Sequence, residues 1–241
     1  MDGREHLEAI RLESGRFAQA ARGPFETRVP SCPEWSLGDL VWHLGGVQWF
    51  WSEVVRTGAT ERAAIEQPLD RADHELLAWF DDVSGELLNV LETTDPNVRV
   101  WSWAGGQQDV AWVGRRQAHE AAVHRWDAQR SVGEPEPIGS ALATDGIDEF
   151  FEWMLDPEDV QGSDATVAIQ LAPTDGDATW VVSVRDGRID LATDPADADV
   201  TARASTSDLL LLLWRRVGPD EVELDGDRSS LERFLAIVDL S

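Results

Sequence analysis

The segment AHEAAVHRWD, residues 118–127, lies within a longer stretch, residues 110–130, whose pattern predicts a single α-helix. Its histidines and glutamate come close to H-E-x-x-H, the pattern with which metalloproteases hold zinc. Here, however, His119 and His124 are five residues apart. Because a helix turns about 100° per residue, the two imidazoles diverge by about 140° and cannot share one metal ion. Geometry therefore excludes the protease interpretation.

The same helix offers a different pair of metal ligands. Glu120 and His124 are four residues apart, so they lie on one helix face, where a carboxylate and an imidazole can both reach one zinc ion. A catalytic zinc usually takes three protein ligands, and the third candidate is His43. It lies in LVWHLGGVQWF, at the edge of the apolar face of another predicted helix, whereas His6 is near the start of the chain and His74 is expected in solvent. The spacing alone also fits a core histidine and a chance pair, so these interpretations remain open.

Residues near these candidates have structural as well as functional interpretations. Arg116 and Asp127 lie close to the same helix face, where either could orient a ligand. Each could instead form a solvated ion pair, which is the expectation for Arg116. Gly45 and Gly46 each cost a helix about 1 kcal/mol relative to Ala, which predicts a close approach by another helix or a ligand. Cys32, the single cysteine, is expected to be a structural loop residue.

The hydrophobic period divides the chain into two halves. Helical patterns dominate the first half, and the capping-box pair Ser36 and Asp39 marks the start of one helix. The predicted helices cover residues 1–21, 36–55, 73–91, 110–130 and 141–155. Residues 97–108 are expected to form an irregular link. Long helices with few strands predict an antiparallel bundle.

The second half follows a turn-rich boundary at residues 156–163 and has a strand-like period of two. Asp186 and Gly187 predict a hairpin turn, because glycine tolerates the positive φ that the turn requires. Strands are predicted at residues 165–172, 178–185, 187–193, 198–204 and 221–227, and helices at residues 205–218 and 228–238. The predicted fold class is therefore α+β with two domains, a helical bundle over residues 1–157 and a small α+β domain over residues 158–241.

The composition argues against several classes of function. The chain has 46 acidic and 20 basic residues, a formal net charge of −26, and such a field repels nucleic acids and anionic membrane surfaces. It contains neither lysine nor tyrosine, which excludes a lysine Schiff base or a tyrosine acid. No apolar run reaches the length of a membrane span, and the first residues lack the apolar region of a secretory signal, so a cytoplasmic location is expected.

Three segments together, VPSCPEWSLGDLVWHLGGVQWFW, QAHEAAVHRWDAQ and STSDLLLLLWRRVG, resemble the mycothiol-dependent maleylpyruvate isomerase family, part of a wider DinB/YfiT-like group of metal-binding bundles. The resemblance implies a DinB-like four-helix bundle followed by a domain that resembles sterol carrier protein 2. It implies that His43, Glu120 and His124 hold the metal. It also implies an arginine near the site, with Arg216 favoured over Arg215. Either arginine could instead cap a helix C-terminus.

Two hypotheses of function follow. In the first, the protein is an enzyme in which Zn²⁺ or another divalent metal holds the thiol of mycothiol as a thiolate. The thiolate attacks a small-molecule electrophile, which leads to cis–trans isomerisation, as of maleylpyruvate to fumarylpyruvate, or to S-transfer. In the second, the protein is a non-catalytic metal-binding protein or a carrier of a lipid or small molecule, and its leucines at residues 209–213 line an apolar tunnel. The alternative for these leucines is an ordinary buried helix. A monomer or weak dimer is expected, with no nucleic-acid or membrane partner.

Overall fold

The structure is a computed structural model that describes residues 1–62, 65–66, 68–69, 72–155, 160, 166–192 and 198–238. Its contacts divide the chain into two compact units, Met1–Glu136 and Pro137–Ser241. No helix in the described part of the chain is long and apolar enough to cross a membrane.

A bundle of helices makes up most of the first unit. Its described residues form α1 (Gly3–Ala20), α2 (Leu37–Thr57), α3 (Asp73–Thr93) and α4 (Val110–Val132). Helix α1 packs along α4, α2 packs along α3, and α2 also contacts α4. The apolar faces meet in a core that includes the fully buried Phe17, Leu40 and Leu44. The helical bundle predicted for the first half of the chain is confirmed.

Two short antiparallel hairpins connect these helices. The first pairs β1 (Arg28–Val29) with β2 (Cys32–Ser36), and the second pairs β3 (Arg99–Ser102) with β4 (Gly106–Asp109). The prediction of an irregular link over residues 97–108 is therefore wrong. Gly105, with φ of +74°, supplies the left-handed residue of that turn. Strands of four residues carry too few alternations to stand out in the sequence.

The start of α2 is set by its sequence. Ser36 Oγ accepts from the backbone N–H of Asp39 at 3.1 Å, and the Asp39 carboxylate accepts from the N–H of Ser36 at 2.8 Å. This confirms the predicted capping box, which satisfies two N–H groups that a helix start leaves without partners. Helix α4 begins in a related way, with Asp109 accepting from the N–H of Trp112. Both helices that carry candidate ligands thus have locally encoded starts.

The second unit combines helices with a mixed sheet. Its described elements are α5 (Ser140–Trp153), β5 (Val167–Pro173), β6 (Trp180–Arg185), β7 (Arg188–Ala192), β8 (Val200–Ala204), α6 (Thr206–Leu213), β9 (Glu223–Gly226) and α7 (Arg228–Ile237). The strand order is β7-β6-β5-β8-β9, with β5 and β8 parallel and the other pairs antiparallel. Asp186 and Gly187 have φ of 52° and 68°, which confirms the predicted hairpin turn. The α+β fold class is confirmed.

The observed division of the chain lies one helix earlier than the boundary predicted after residue 157. Helix α5 belongs to the second unit, because it packs on α6, and the ring of Phe150 meets the ring of Trp214 edge-on at 5.3 Å. Helical periodicity shows that α5 has an apolar face but not which element covers that face.

Helix α6 is shorter than predicted. It ends at Leu213 rather than near residue 218, because Arg215 adopts a left-handed backbone with φ of 58°. The backbone N–H of Arg216 then turns back to the carbonyl of Leu211 at 2.7 Å. The leucines at residues 209–213 are all buried, with at most 1% of each exposed, which is the ordinary buried helix rather than a tunnel lining.

Candidate metal centre

Three side chains from two helices meet at one point in the first unit. Helix α2 contributes His43, and α4 contributes Glu120 and His124. Their candidate ligand atoms all lie within 4.8 Å of one another. Glu120 Oε1 lies 3.5 Å from His43 Nε2 and 3.2 Å from His124 Nε2. The structure therefore brings together the three residues that the sequence singled out.

The spacing of these atoms fits a divalent metal ion. In a tetrahedral zinc site with bonds of about 2.0–2.1 Å, neighbouring donor atoms lie roughly 3.3 Å apart. The two measured separations, 3.5 and 3.2 Å, bracket that value. Two imidazoles and one carboxylate are ligands that zinc accepts, and imidazole also suits nickel, copper and iron. The donor set thus fits a transition metal better than Ca²⁺ or Mg²⁺, which prefer oxygen.

The cluster is open on the side of His43. The His43 side chain is 35% exposed, whereas those of Glu120 and His124 are 15% and 7% exposed. Gly46 lies one helical turn beyond His43, and a methyl group added there would meet nothing within 4 Å. Solvent therefore reaches the cluster through the exposed part of His43.

Arg116 binds the outer oxygen of Glu120. Its guanidinium donates to Glu120 Oε2, while Oε1 faces the two imidazoles. Only 8% of the Arg116 side chain is exposed, so the expectation of a solvated ion pair is wrong. Burial raises the pKa of the Glu120 carboxyl, but the Arg116 charge and the hydrogen bonds from His124 and His43 outweigh burial and hold that pKa well below its usual range. Glu120 is therefore an anion ready to bind a cation.

Asp127 orients the ring of His124. Its Oδ2 lies 3.0 Å from His124 Nδ1, and its Oδ1 accepts a hydrogen bond from Ser31 Oγ at 2.5 Å. Because a carboxylate only accepts, Nδ1 donates its proton to Asp127, and in the neutral ring Nε2 is the nitrogen that can bind a metal. Burial lowers the pKa of His124, but the bonds to Asp127 and Glu120 outweigh it and raise that pKa. Both residues that were expected to orient a metal ligand do contact one: Arg116 contacts Glu120, and Asp127 contacts His124.

The hairpin before α2 contributes two residues that sequence reasoning missed. Ser31, in the turn, binds Asp127, and the ring of Trp35, on β2, lies 4.6 Å from the ring of His43. The motif SCPEW was the available signal, because it precedes the helix that carries His43. Cys32, in the same hairpin, packs partly buried against the core of the bundle, in agreement with its expected structural role.

The remaining histidines of the chain lie outside the cluster. His119 is buried on another face of α4, where the centroid of its ring lies 6.2 Å from that of His6, which is also buried. His74 is exposed, as expected. Gly45 gives room to Trp79, since a methyl group at Gly45 would lie 2.5 Å from that ring. This is the close approach that the glycine pair predicted.

The two arginines after α6 differ in their contacts within the second unit. The guanidinium of Arg215 donates to the backbone carbonyls of Leu235 and Val238, at the end of α7. Arg216 Nη1 donates to the carbonyl of Trp214 at 2.9 Å, and its side chain is half-buried. Arg215 therefore holds the end of α7, and Arg216 contacts Trp214, the C-cap residue of α6, which is the helix-end role expected as the alternative. A role for Arg216 at the metal site stays a prediction.

The fold and the cluster together define a class of protein. The described part of the first unit is a four-helix bundle with two imidazoles and one carboxylate converging from α2 and α4. The second unit is an α+β domain built on a mixed sheet. The class is that of two-domain proteins in which a helical bundle with a candidate metal centre precedes an α+β domain.

Family models match both units. The model for the mycothiol maleylpyruvate isomerase N-terminal domain matches residues 7–129, and the model for the C-terminal domain of the same proteins matches residues 141–233. The chain belongs to the mycothiol maleylpyruvate isomerase family. A search of curated protein sequences found none that matches this chain.

Solved structures agree with this assignment at the level of the fold. The chain in the crystal structure of the mycothiol-dependent maleylpyruvate isomerase has 13% sequence identity to this chain and a TM-score of 0.65. The match covers 95% of this chain and 96% of that chain. A mutant of that enzyme with one histidine replaced by alanine gives 12% identity and a TM-score of 0.64, over the same shares of the two chains. A sterol carrier protein 2-like protein from Aedes aegypti matches 42% of this chain and 100% of its own at 18% identity, but its TM-score of 0.30 is too low to argue from.

Proposed function

We propose that this protein is an enzyme that binds Zn²⁺, or another divalent metal, and uses mycothiol to isomerise or modify a small electrophilic substrate. The observation that carries the proposal is the convergence of His43, Glu120 and His124, with donor separations that suit a tetrahedral ion. Membership of the isomerase family and the solved structure of the maleylpyruvate isomerase support the choice of thiol and reaction.

A bound divalent metal would supply a positive charge that favours the thiolate form of a thiol at neutral pH. The residues of the chain prepare the site for it. Asp127 keeps the proton of His124 on Nδ1, so that Nε2 is free to bind. Arg116 keeps Glu120 ionised, and the exposed edge of His43 leaves an approach for thiol and substrate.

The proposed reaction conserves atoms and electrons. The thiolate sulfur adds to one carbon of a cis double bond conjugated to a carbonyl, and the electron pair of the double bond moves towards that carbonyl. The remaining single bond rotates, the same sulfur leaves, and the double bond re-forms in the trans geometry. If the sulfur stays on the product after protonation of the carbon, the same first step gives S-transfer.

We propose Arg216 as the catalytic arginine of the second unit. Maleylpyruvate carries carboxylates, and a guanidinium binds a carboxylate through two parallel hydrogen bonds. The family resemblance of the segment LLWRRVG favours Arg216, whereas the guanidinium of Arg215 holds the carbonyls of Leu235 and Val238. A cytoplasmic location, a monomeric or weakly dimeric state and the lack of nucleic-acid or membrane partners remain predictions from the sequence. No observation favours the carrier hypothesis, since the leucines at residues 209–213 are packed in the interior.

Metal content tests the proposal directly. Wild type without a histidine tag is compared with His43→Ala, and with His74→Ala as a matched control at an exposed position outside the cluster. We expect near-stoichiometric zinc in wild type and His74→Ala, and its loss in His43→Ala, with loss of mycothiol-dependent conversion of maleylpyruvate. If wild type binds no metal after zinc is supplied, or turns over equally without mycothiol, the proposal is wrong.

A further inference from the structure

The two oxygens of Glu120 have separate partners. Oε1 lies 3.5 Å from His43 Nε2 and 3.2 Å from His124 Nε2, whereas Oε2 accepts a hydrogen bond from Arg116 Nη2. A carboxylate can bind a metal through one oxygen or through both. In this arrangement only Oε1 faces the point where a metal would lie.

The position of Arg116 is set by the helix and by burial. Arg116 and Glu120 are four residues apart on α4, so their side chains stack on one face. The Arg116 side chain is 8% exposed and that of Glu120 is 15% exposed. Breaking a buried ion pair removes a charged partner that water cannot easily replace, so the contact resists rotation of the carboxylate.

We propose that Arg116 is a positioning residue that restricts Glu120 to a single bond with the metal, and so keeps one coordination position open for the thiol. Two imidazole nitrogens and one carboxylate oxygen make three protein donors, which leaves a fourth position in a tetrahedral site. Without Arg116, Oε2 is free to turn inward and occupy that position. This inference rests on the proposed metal site.

The visible absorption of bound Co²⁺ reports how many ligands the metal has. Co²⁺ takes the place of zinc in such sites, and its visible absorption is stronger with four ligands than with five, because geometry controls these bands. The experiment loads wild type, Arg116→Gln and Arg115→Gln with Co²⁺ and titrates each with 2-mercaptoethanol. Arg115 is the matched control, because it is the neighbouring arginine on α4 and its side chain leaves the helix about 100° away from that of Arg116.

We expect wild type and Arg115→Gln to show strong visible absorption and a new near-ultraviolet band when the thiol binds. Arg116→Gln should absorb more weakly and bind the thiol about tenfold less tightly or worse, in line with the effect of removing a partner of a metal ligand. Equal absorption and equal thiol affinity in Arg116→Gln would overturn the role of Arg116 and leave the metal site standing. If wild type takes up no Co²⁺, the metal site itself fails, and this inference with it.

A second measurement does not depend on how the variant folds. A crystal structure of zinc-loaded wild type should show Oε1 on the zinc and Oε2 on Arg116. Both oxygens within bonding distance of the zinc would overturn the inference. Arg116→Lys gives a further check, since an ammonium can still hold Oε2 and should retain most of the cobalt absorption.

Discussion

Asp127 lies 3.0 Å from Nδ1 of His124 and is itself fully buried, so a carboxylate on the ligand helix fixes which ring nitrogen faces the metal cluster. We expect Asp127→Asn to weaken zinc binding about 10- to 100-fold, because a neutral amide neither fixes the tautomer nor strengthens the imidazole as a donor. Competition with a chromogenic chelator measures the affinity. Asp82→Asn, at an exposed position of α3, is the control and should leave the affinity unchanged. Equal affinity in Asp127→Asn would show that the contact does not orient His124.

Ser31 holds the other oxygen of Asp127. Ser31→Ala removes the hydroxyl that donates to Oδ1 of a buried carboxylate, and losing a hydrogen bond to a charged group costs about 1.5–3 kcal/mol in the free energy of unfolding. Urea denaturation of the metal-free protein measures the loss. Ser31→Thr retains a hydroxyl and should recover most of it. If both variants are as stable as wild type, the Ser31 bond to Asp127 carries no stability.

Zinc affinity should depend on pH through His124. The pKa of His124 is raised above its usual value, and only the neutral imidazole binds a metal. Protons therefore compete with zinc as the pH falls through the raised pKa, so affinity should fall over a pH range that begins above the usual histidine value of about 6.5. Isothermal titration with zinc in buffers of different ionisation enthalpy measures both the affinity and the proton released. An affinity independent of pH over that range would contradict the prediction.

In the metal-free protein, protonation of His124 stabilises the fold, whereas in the zinc-binding reaction it competes with the metal. A raised folded-state pKa for His124 contributes stability that is fully present below the unfolded value and is lost as the pH rises through the folded value. The lowered pKa of Glu120 contributes stability above the unfolded value and loses it as the pH falls through the folded value. Denaturation of the metal-free protein across pH should thus show a maximum in mildly acidic solution for this pair. His124→Gln should remove the part of the pH dependence that lies on the alkaline side.

Replacing Gly45 or Gly46 with alanine should change the stability of the bundle in opposite directions. A methyl group at Gly45 would lie 2.5 Å from the Trp79 ring, so Gly45→Ala should destabilise the bundle by about 1–3 kcal/mol through overpacking. At Gly46 a methyl group meets nothing within 4 Å, so Gly46→Ala should gain up to about 1 kcal/mol from helix propensity. Chemical denaturation of both variants checks the difference. Equal effects of the two substitutions would contradict the packing described for α2 and α3.

We expect replacement of Arg215 to lower stability and replacement of Arg216 to lower activity. Arg215→Met removes the donor to the carbonyls of Leu235 and Val238, so we expect a lower Tm with kcat/KM nearly unchanged. Arg216→Met should lower kcat/KM for maleylpyruvate about tenfold or more, because a carboxylate loses a charged partner. Thermal unfolding and steady-state kinetics on both variants distinguish the two roles. An Arg216→Met enzyme with wild-type kinetics would exclude Arg216 as the catalytic arginine.

Much of the local structure could be predicted because its causes are local. Ser36 and Asp39 cap α2 through atoms three residues apart, and Asp186 and Gly187 turn the hairpin through their own backbone angles. Glu120 and His124 share a helix face because of the helical repeat alone. The choice of His43 rested on its place at the edge of an apolar helix face and on the family resemblance, and the structure brings it to the other two.

What the sequence determined by itself was therefore the longer helices, the strands of the second half and the types of ligand, since helix period, caps and turn residues act over a few positions. The tertiary structure alone decided which surfaces meet. It placed α5 with the second unit, buried Arg116 against one oxygen of Glu120, and brought Ser31 from a short hairpin to Asp127 on α4. Ser31 and Asp127 are far apart in the chain, and the burial of α5 and of Arg116 depends on how whole faces pack, so no spacing along the sequence encodes these features.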